Sequence, residues 1–391
     1  MPIPFTYSFR SIAVRKGSSA MAVGGIALVV VVLVAMLALA AGIKHAVATS
    51  GNTDNIIVMR VGADAELQSL VTREASLVVR EMPVIAADGA GRPLFIQESV
   101  IILNRKKRVG GDTNVTVRGT PHDSRKLRPE VKLSDGRWFT PGSSEAVIGS
   151  SLSRRIEGFS LVQTIVAGKQ GWTIVGVFES AGSALESELW VDIEMMQTVF
   201  NRGNIYQSLL FRAAGDPGVS LNYLKQQIRD DPRLKALMAQ AETEYYANQS
   251  KLMSQVITTL GEILAGIMSI GAIAGAMNTM YAAVSQRKRE IGCMLAMGFT
   301  PESIWAAFIL ESLLLSGIGA VLGCGISLFF DGIQTGTTNL TTFSETAFEF
   351  RVTPEILATA TIVALIMGFI GGLLPAMQAA RMKVVDALRR A

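Results

Sequence analysis

An integral membrane protein with four transmembrane α-helices, and an α+β extracytoplasmic domain inserted between helices 1 and 2, is the fold this sequence predicts. Three observations carry that expectation. Of 391 residues, 49% are hydrophobic and only 17% charged, whereas an ordinary soluble domain is about a quarter charged. Four segments are apolar over the roughly 20 residues that a helix needs to cross a hydrocarbon core of ~30 Å. The polar remainder is concentrated in one block, residues 44–251, whose charges are too frequent for a span.

The first span is expected at residues 21–43, which carry no charge. The second, 252–284, is interrupted only by Glu262 near its start, and the third, 304–330, carries Glu311. The fourth occupies 355–378. Lys and Arg beside spans are retained on the cytoplasmic side. Arg10, Arg15 and Lys16 precede the first span, Arg287, Lys288 and Arg289 sit between the second and third, and Arg381, Lys383, Arg389 and Arg390 follow the fourth. The short loop 331–354 instead holds Asp331, Glu345 and Glu349 against Arg351. All basic clusters therefore fall on one side, which puts both termini in the cytoplasm and the block 44–251 outside. Ala38, Ala40 and Ala41 resemble a signal-peptidase site, but the apolar run is longer than the usual 7–15-residue signal core, so a retained span is expected.

Within the outer block, short β-branched runs at 55–60, 94–103, 113–118, 145–148, 172–178, 189–193 and 208–212 read as strands. Turn signals such as Asp88-Gly89, Gly110-Gly111, Ser134-Asp135-Gly136 and Pro141-Gly142 separate several of them. Amphipathic stretches at 65–80, 193–200, 218–229 and 232–248 read as helices, the last running almost unbroken into the second span. Catalytic chemistry is not indicated. The block has His45 and His122 but no cysteine, and Ser150, Ser151 and Ser153 lack a G-x-S-x-G elbow. Cys293 and Cys324 lie outside it, so no disulfide framework supports the domain. The net charge of +4 is dispersed beside apolar runs, which excludes a nucleic-acid reader.

Residues 285–304, SQRKREIGCMLAMGFTPESI, are the most informative stretch. A basic cluster leads into a short apolar periodicity at Ile291, Leu295 and Phe299, and Gly298 ends the turn. Thr300 and Pro301 are suited to the N-cap and first position of the next helix. On composition alone this is a positive-inside anchor before it is a docking site. The pattern, however, resembles the coupling segment of FtsX/MacB-type ABC transporter permeases, roughly R-x-x-E-I-G-x-x-x-A-x-G. It matches here at Arg287, Glu290, Ile291, Gly292, Ala296 and Gly298. The C-terminal LLPAMQAARMKVVDALR is similar to the ending of that family at Pro375, Ala376, Ala380, Arg381, Ala387, Leu388 and Arg389, with Val384 where a proline is common. The N-terminal FTYSFRSIAVRKGSSA, within residues 1–20, resembles the family's amphipathic first helix. GRWF, EAVIGSSLSRRI and WTIVGVF resemble phrases of the MacB-like periplasmic core domain.

That resemblance implies a non-catalytic permease subunit in a bacterial inner membrane. Its partners would be a separate ABC ATPase, a second permease subunit (an identical copy rather than a different chain), membrane lipids and a periplasmic adaptor. No G-x-x-x-x-G-K-[ST] phosphate loop occurs in the sequence, so no cofactor is expected in this chain, and ATP and Mg would be held by the ATPase. ATP-driven closure would pass through the coupling segment into the helices and move the outer domain, a mode called mechanotransmission. The work done is expected to be export or extraction of a peptide, drug, lipid or lipoprotein. The alternative is FtsX-like activation of an outer enzyme without transport. A secondary transporter would need broken spans and buried polar sites at the midplane, which these spans lack.

The coupling residues are therefore Arg287, Lys288, Arg289, Glu290, Ile291, Gly292, Ala296 and Gly298. The first four are the docking candidates, since Arg can make bidentate contacts to a carboxylate; lipid headgroups are the competing partner for the cations. Glu262 and Glu311 are intramembrane carboxylates, for which an interfacial site and an interhelical bond, respectively, are favoured over an ion relay. The pairs Gly271/Gly275, Gly319/Gly323 and Gly368/Gly372 permit close helix approach, most of them within one subunit and one with a share in dimerisation.

Overall fold

The structure, a computed structural model, describes residues 16–203, 205–338 and 344–384. Most of the expected N-terminal helix and the tail positions Ala387, Leu388, Arg389 and Arg390 lie outside the described residues. The chain forms two compact units. The helical unit takes residues 1–41, 255–333 and 350–391, and the head takes 42–254 with 334–349.

Among the described residues, four helices are long and apolar enough to cross a membrane: 19–48, 254–286, 301–330 and 354–380. In the chain they are α1 (Lys16–Ala48), α6 (Glu242–Gln286), α8 (Pro301–Ser327, prolonged by a 3₁₀ turn) and α9 (Pro354–Ala380). Between α1 and α6 come α2 (Arg73–Arg80), α3 (Ser150–Arg155), α4 (Ile193–Val199) and α5 (Pro217–Asp230); α7 (Lys288–Ala296) separates α6 from α8. In the helical unit, Ile26, Val30 and Val34 of α1 pack with Ala265, Ala320, Ala360 and Ala364. More than half of the apolar window of α1 is enclosed, against 11% of that of α6. An outward face that apolar is stable only in lipid or against another apolar helix.

The head is built on a ten-stranded mixed sheet. Its strands are β1 (Asn55–Arg60), β3 (Phe95–Lys106), β4 (Asp112–Thr120), β5 (Lys132–Gly136), β6 (Glu145–Gly149), β7 (Thr164–Ala167), β8 (Gln170–Glu179), β9 (Glu188–Asp192), β11 (Ser208–Arg212) and β12 (Leu237–Ala241), while β2 (Val71–Thr72) and β10 (Ile205–Tyr206) form a separate ribbon. The spatial order is β12-β1-β11-β3-β4-β9-β6-β8-β5, with β7 also on β8. Both faces are covered. Ile56 and Val58 of β1 enter one core with Leu209 and Phe211, while Ile57 and Met59 enter another with Leu210, Phe178 and Trp190. The period-2 alternation of a strand sends its neighbours to opposite faces. A strand buried on both sides reads as a continuous apolar run, as NIIVM does.

Three local expectations are corrected. Residues 65–80 are not one helix: Glu66–Gln68 is a 3₁₀ turn, Val71–Thr72 pairs with β10, and only Arg73–Arg80 is α-helical. Thr72 caps that helix by accepting from the Ala75 amide at 3.2 Å, and Val71 is fully buried. Residues 232–248 divide as well. Leu237–Ala241 completes the edge beside β1 in antiparallel register, where ladder bonds outweigh the helix propensity of LMAQA, and α6 begins at Glu242. Finally, loop 331–354 is more than a connector. It forms the hairpin β13 (Gln334–Thr338) and β14 (Glu345–Glu349), which belongs to the head.

A cluster of buried charge ties the head together, centred on Arg118 in β4, which is 2% exposed. Its Nε donates to Glu188 (2.7 Å), Nη1 to Glu66 (2.8 Å) and Glu98 (2.9 Å), and Nη2 to Glu66 and Glu188 (both 2.8 Å). All five N–H groups of the guanidinium are thereby used. Arg128, equally buried, donates to both oxygens of Glu98 at 2.7 and 2.8 Å and lies over the Trp190 ring. Burial pushes the Glu98 carboxyl up, but Arg128 and Arg118 outweigh it and hold it at about 2. Glu242, the first residue of α6, differs. One oxygen accepts from the Asn52 amide (3.0 Å) and Asn55 Nδ2 (2.9 Å), and the other lies 3.5 Å from Arg128. Here burial prevails over Arg128, and the carboxyl is raised.

Removing Arg118 strands three carboxylates, so Arg118→Met is expected to cost about 3–5 kcal/mol, read as a fall in the unfolding midpoint of the full chain in detergent. The two glutamates have opposite linkage signs. Stability from Glu98 is present above its ordinary 4.5 and lost as pH falls towards about 2. That from Glu242 is present below 4.5 and lost as pH rises through its raised value. Glu242→Gln, which keeps an acceptor, is therefore expected to raise the midpoint in neutral and alkaline buffer and to change it little below pH 4.5. An equal shift at every pH would contradict that assignment.

Candidate functional site

The segment between α6 and α8 is shaped by local signals. After Gln286 the chain turns at Arg287, whose carbonyl accepts from the Ile291 amide at 2.9 Å to start α7. The helix ends at Gly298, with φ +91°, a backbone conformation only glycine adopts without strain. The Gly298 amide donates to the Leu295 carbonyl and the Phe299 amide to that of Met294, both at 3.1 Å, the paired bonds of a Schellman cap. Thr300 then accepts from the Ser303 amide at 3.3 Å and Pro301 opens α8, as expected.

Helix α7 is amphipathic. Ile291, fully buried, packs with Met280, Val284, Ile304, Phe308 and Ala376, with Met294 and Leu295 at the margin; Gly292 is buried too. Lys288, Arg289, Glu290, Cys293, Ala296, Met297 and Gly298 are exposed. Arg287 departs from the expected docking set, because its side chain turns inward. Its Nη1 donates to Glu311 Oε2 on α8 at 3.1 Å, and both side chains are about nine-tenths buried. Helix α8 therefore buries Glu311 against a guanidinium, the interhelical bond favoured for it. Arg287 also lies 4.0 Å from Glu290. Arg287 and Glu311 each stood out in the sequence, but nothing in a separation of 24 positions signals that they pair. Glu262 is exposed on α6.

The glycine pairs divide. A Cβ on Gly319 would meet Ile26 at 3.0 Å, and one on Gly323 would meet Val30 at 2.7 Å, so this pair seats α8 on α1. Gly368 and Gly372 seat α9 on Ser316 and Ser312 of α8, and the Ser312 hydroxyl donates to the Gly368 carbonyl at 2.5 Å. Gly271 and Gly275 have open space above them. They line a groove of about 350 Å³ between α1 and α6, floored by Ala22, Gly25, Ala272 and Ala276. The buried ionic cluster of the head was missed at the sequence level. Its signal was a charge inside otherwise apolar strands, Glu98 in FIQESVII and Arg118 in VTVRG.

Four spanning helices, a short amphipathic helix between the second and third, and a mixed α+β head define a multi-pass membrane protein of the permease class. Residues 19–231 match the family profile described as MacB-like periplasmic core domain, and residues 262–384 that described as FtsX-like permease C-terminal. The chain belongs to this family, the ABC transporter permeases of MacB/FtsX type. It is 23% identical over 358 residues to the uncharacterized ABC transporter permease YknZ of Bacillus subtilis, covering 89% of this chain and 87% of that protein. It is 29% identical over 411 residues to the macrolide export ATP-binding/permease protein MacB of Chlorobium phaeobacteroides, covering 98% of this chain but only 60% of that protein. A crystal structure of the extracellular domain of YknZ, described as a noncanonic ABC-type transporter of Gram-positive bacteria, aligns with 48% of this chain and 99% of its own, at 18% identity and a TM-score of 0.35.

Arg287→Met leaves a carboxylate buried without its partner and is expected to lower stability by about 3–5 kcal/mol. The double variant Arg287→Met/Glu311→Leu is expected to recover most of that loss. Thermal unfolding of the four species of the cycle measures the coupling; additive losses would show that the pair contributes nothing.

Proposed function

We propose that this chain is the force-transmitting permease of an ABC machine, driven from the exposed face of α7 by a separate ATPase that holds the ATP and Mg. Family membership implies such a partner and a permease dimer, here two copies of this chain. The observation that carries the reading is the division of labour within α7. Ile291 and the Arg287–Glu311 pair fasten the segment to α6 and α8, while Lys288 and Arg289 stand exposed on its outer face. A push on the exposed face is then delivered to two spans through a buried contact that resists shear. Helix α6 suits this role, since its 45 residues run from Glu242 to Gln286 without a break, about 68 Å at 1.5 Å per residue. At its first residue, Glu242 contacts Asn52, Asn55 and Arg128.

In this reading the protein sits in a bacterial inner membrane with both termini cytoplasmic and the head periplasmic. The machine exports or extracts cargo at the outer face, working with a periplasmic adaptor. A second copy is supported by the open Gly271/Gly275 face and by the sparse enclosure of α6.

Affinity purification from native membranes is expected to recover an ABC ATPase. Lys288→Glu/Arg289→Glu should reduce that recovery at least tenfold, about 1.4 kcal/mol or more, with insertion unchanged. Full recovery with the charge-reversed protein would refute docking at α7. The natural thiol Cys293 is exposed on the same helix and tests orientation separately. An impermeant maleimide should label it in inverted vesicles and not in intact cells; labelling in intact cells would invert the proposed topology.

A further inference from the structure

The head carries a surface that neither its cores nor the proposed coupling uses. Strands β3 and β4 end in a hairpin reading RKKRVGG, whose turn is made by Gly110 and Gly111 at φ +92° and +84°. Backbone bonds zip this tip to the end of α3: the Arg108 amide donates to the Arg155 carbonyl at 2.9 Å, and the Glu157 amide to that of Lys106 at 3.0 Å. Positions distant in sequence are thus gathered on one surface. Two of its cations are neutralised by the hairpin β13–β14. Glu345, buried on β14, pairs with Lys107 at 2.7 Å and with Arg155, and accepts the Thr113 hydroxyl. Burial raises its carboxyl, yet Lys107, Thr113 and Arg155 prevail and hold it below the ordinary range.

Three further cations, Arg105, Lys106 and Arg108, have no carboxylate within ion-pair distance among the described residues. Arg105 donates to the Val166 carbonyl, and Arg108 to Ser153 O and Ser160 Oγ, both at 3.1 Å. The acids nearby are Asp112 and Glu157, both exposed. Among these charges stand aliphatic side chains in the open: Val109 at the tip is 99% exposed, Val162 78% and Val166 66%. Unpaired cations beside projecting aliphatic groups are the composition of a surface that rests on anionic lipid, where the apolar groups enter the headgroup layer and the cations meet phosphates. Chain connectivity supports this occupant whatever the orientation of the two units. Glu345 stands five residues before Phe350, where the chain returns to the helical unit, a stretch of at most about 18 Å.

We propose that the β3–β4 tip, with Arg105, Lys106, Arg108 and Val109, is a lipid-contact surface that holds the head on anionic phospholipid. The test uses the full chain, with Cys293→Ser and Cys324→Ser, reconstituted in nanodiscs and carrying an environment-sensitive fluorophore on Val109→Cys. Emission is expected to move to shorter wavelength in discs containing phosphatidylglycerol relative to discs of phosphatidylcholine alone. The shift should be lost in Lys106→Glu/Arg108→Glu and at about 1 M salt, where the Debye length falls to ~3 Å. Identical emission in the two kinds of disc would overturn the proposal, as would a shift that survives the charge reversal. A shift produced in phosphatidylcholine discs by soluble glycerol phosphate would assign the cations to a free anion instead, and would also overturn it. Because no part of the protein covers the Val109 side chain, the label reports its surroundings without disturbing the fold.

Discussion

A guanidinium shared among carboxylates in a dry environment is the interaction on which both units depend. An ionised group removed from water costs several kcal/mol unless partners restore what hydration supplied. Arg118 meets that cost in the head by placing all five N–H groups on Glu66, Glu98 and Glu188. Those glutamates come from a 3₁₀ turn, β3 and β9, so one side chain sets the mutual position of three elements that hydrophobic packing alone would leave free to slide. Arg287 and Glu311 do the same at smaller scale, joining the turn after α6 to α8. Hydrophobic contacts supply more of the attraction in both units, but they are not directional. The ion pairs select one arrangement.

The helical unit relies on a second device, the removal of side chains. Without a hydrophobic drive between helices in lipid, close packing must supply the attraction. Gly319 and Gly323 let α8 settle on Ile26 and Val30, and Gly368 and Gly372 let α9 settle on Ser312 and Ser316. Helix α6 is the exception, with little of its apolar surface enclosed. The least enclosed span is thus also the longest helix, and it leads into the short amphipathic helix α7.

Within the head, charge is arranged so that a few carboxylates hold several elements. Glu98 receives Arg118, Arg128 and Thr120, while Glu345 receives Lys107, Arg155 and Thr113 from three places in the chain. The second of these fixes a hairpin that arises between the third and fourth spans. The head is therefore linked to the helices by four chain crossings, of which two come from that hairpin.

Much of this was legible in the linear chain, for reasons of solvent. The four spans, the block 44–251 between the first two, and the caps at Thr300 and Gly298 follow from local rules: apolar length, charge density and the turn chemistry of single residues. Strands such as Asn55–Arg60 and Ser208–Arg212 were equally readable, because burial on both faces leaves an unbroken apolar run. What only the tertiary structure decided is who meets whom. LMAQA became an edge strand because β1 offered it a ladder, 65–80 broke because Glu66 was drawn to Arg118, and Arg287 turned inward because Glu311 lay on the neighbouring helix. Pairing between distant residues depends on three-dimensional proximity and on the dielectric around it, and neither quantity is written in the order of the amino acids.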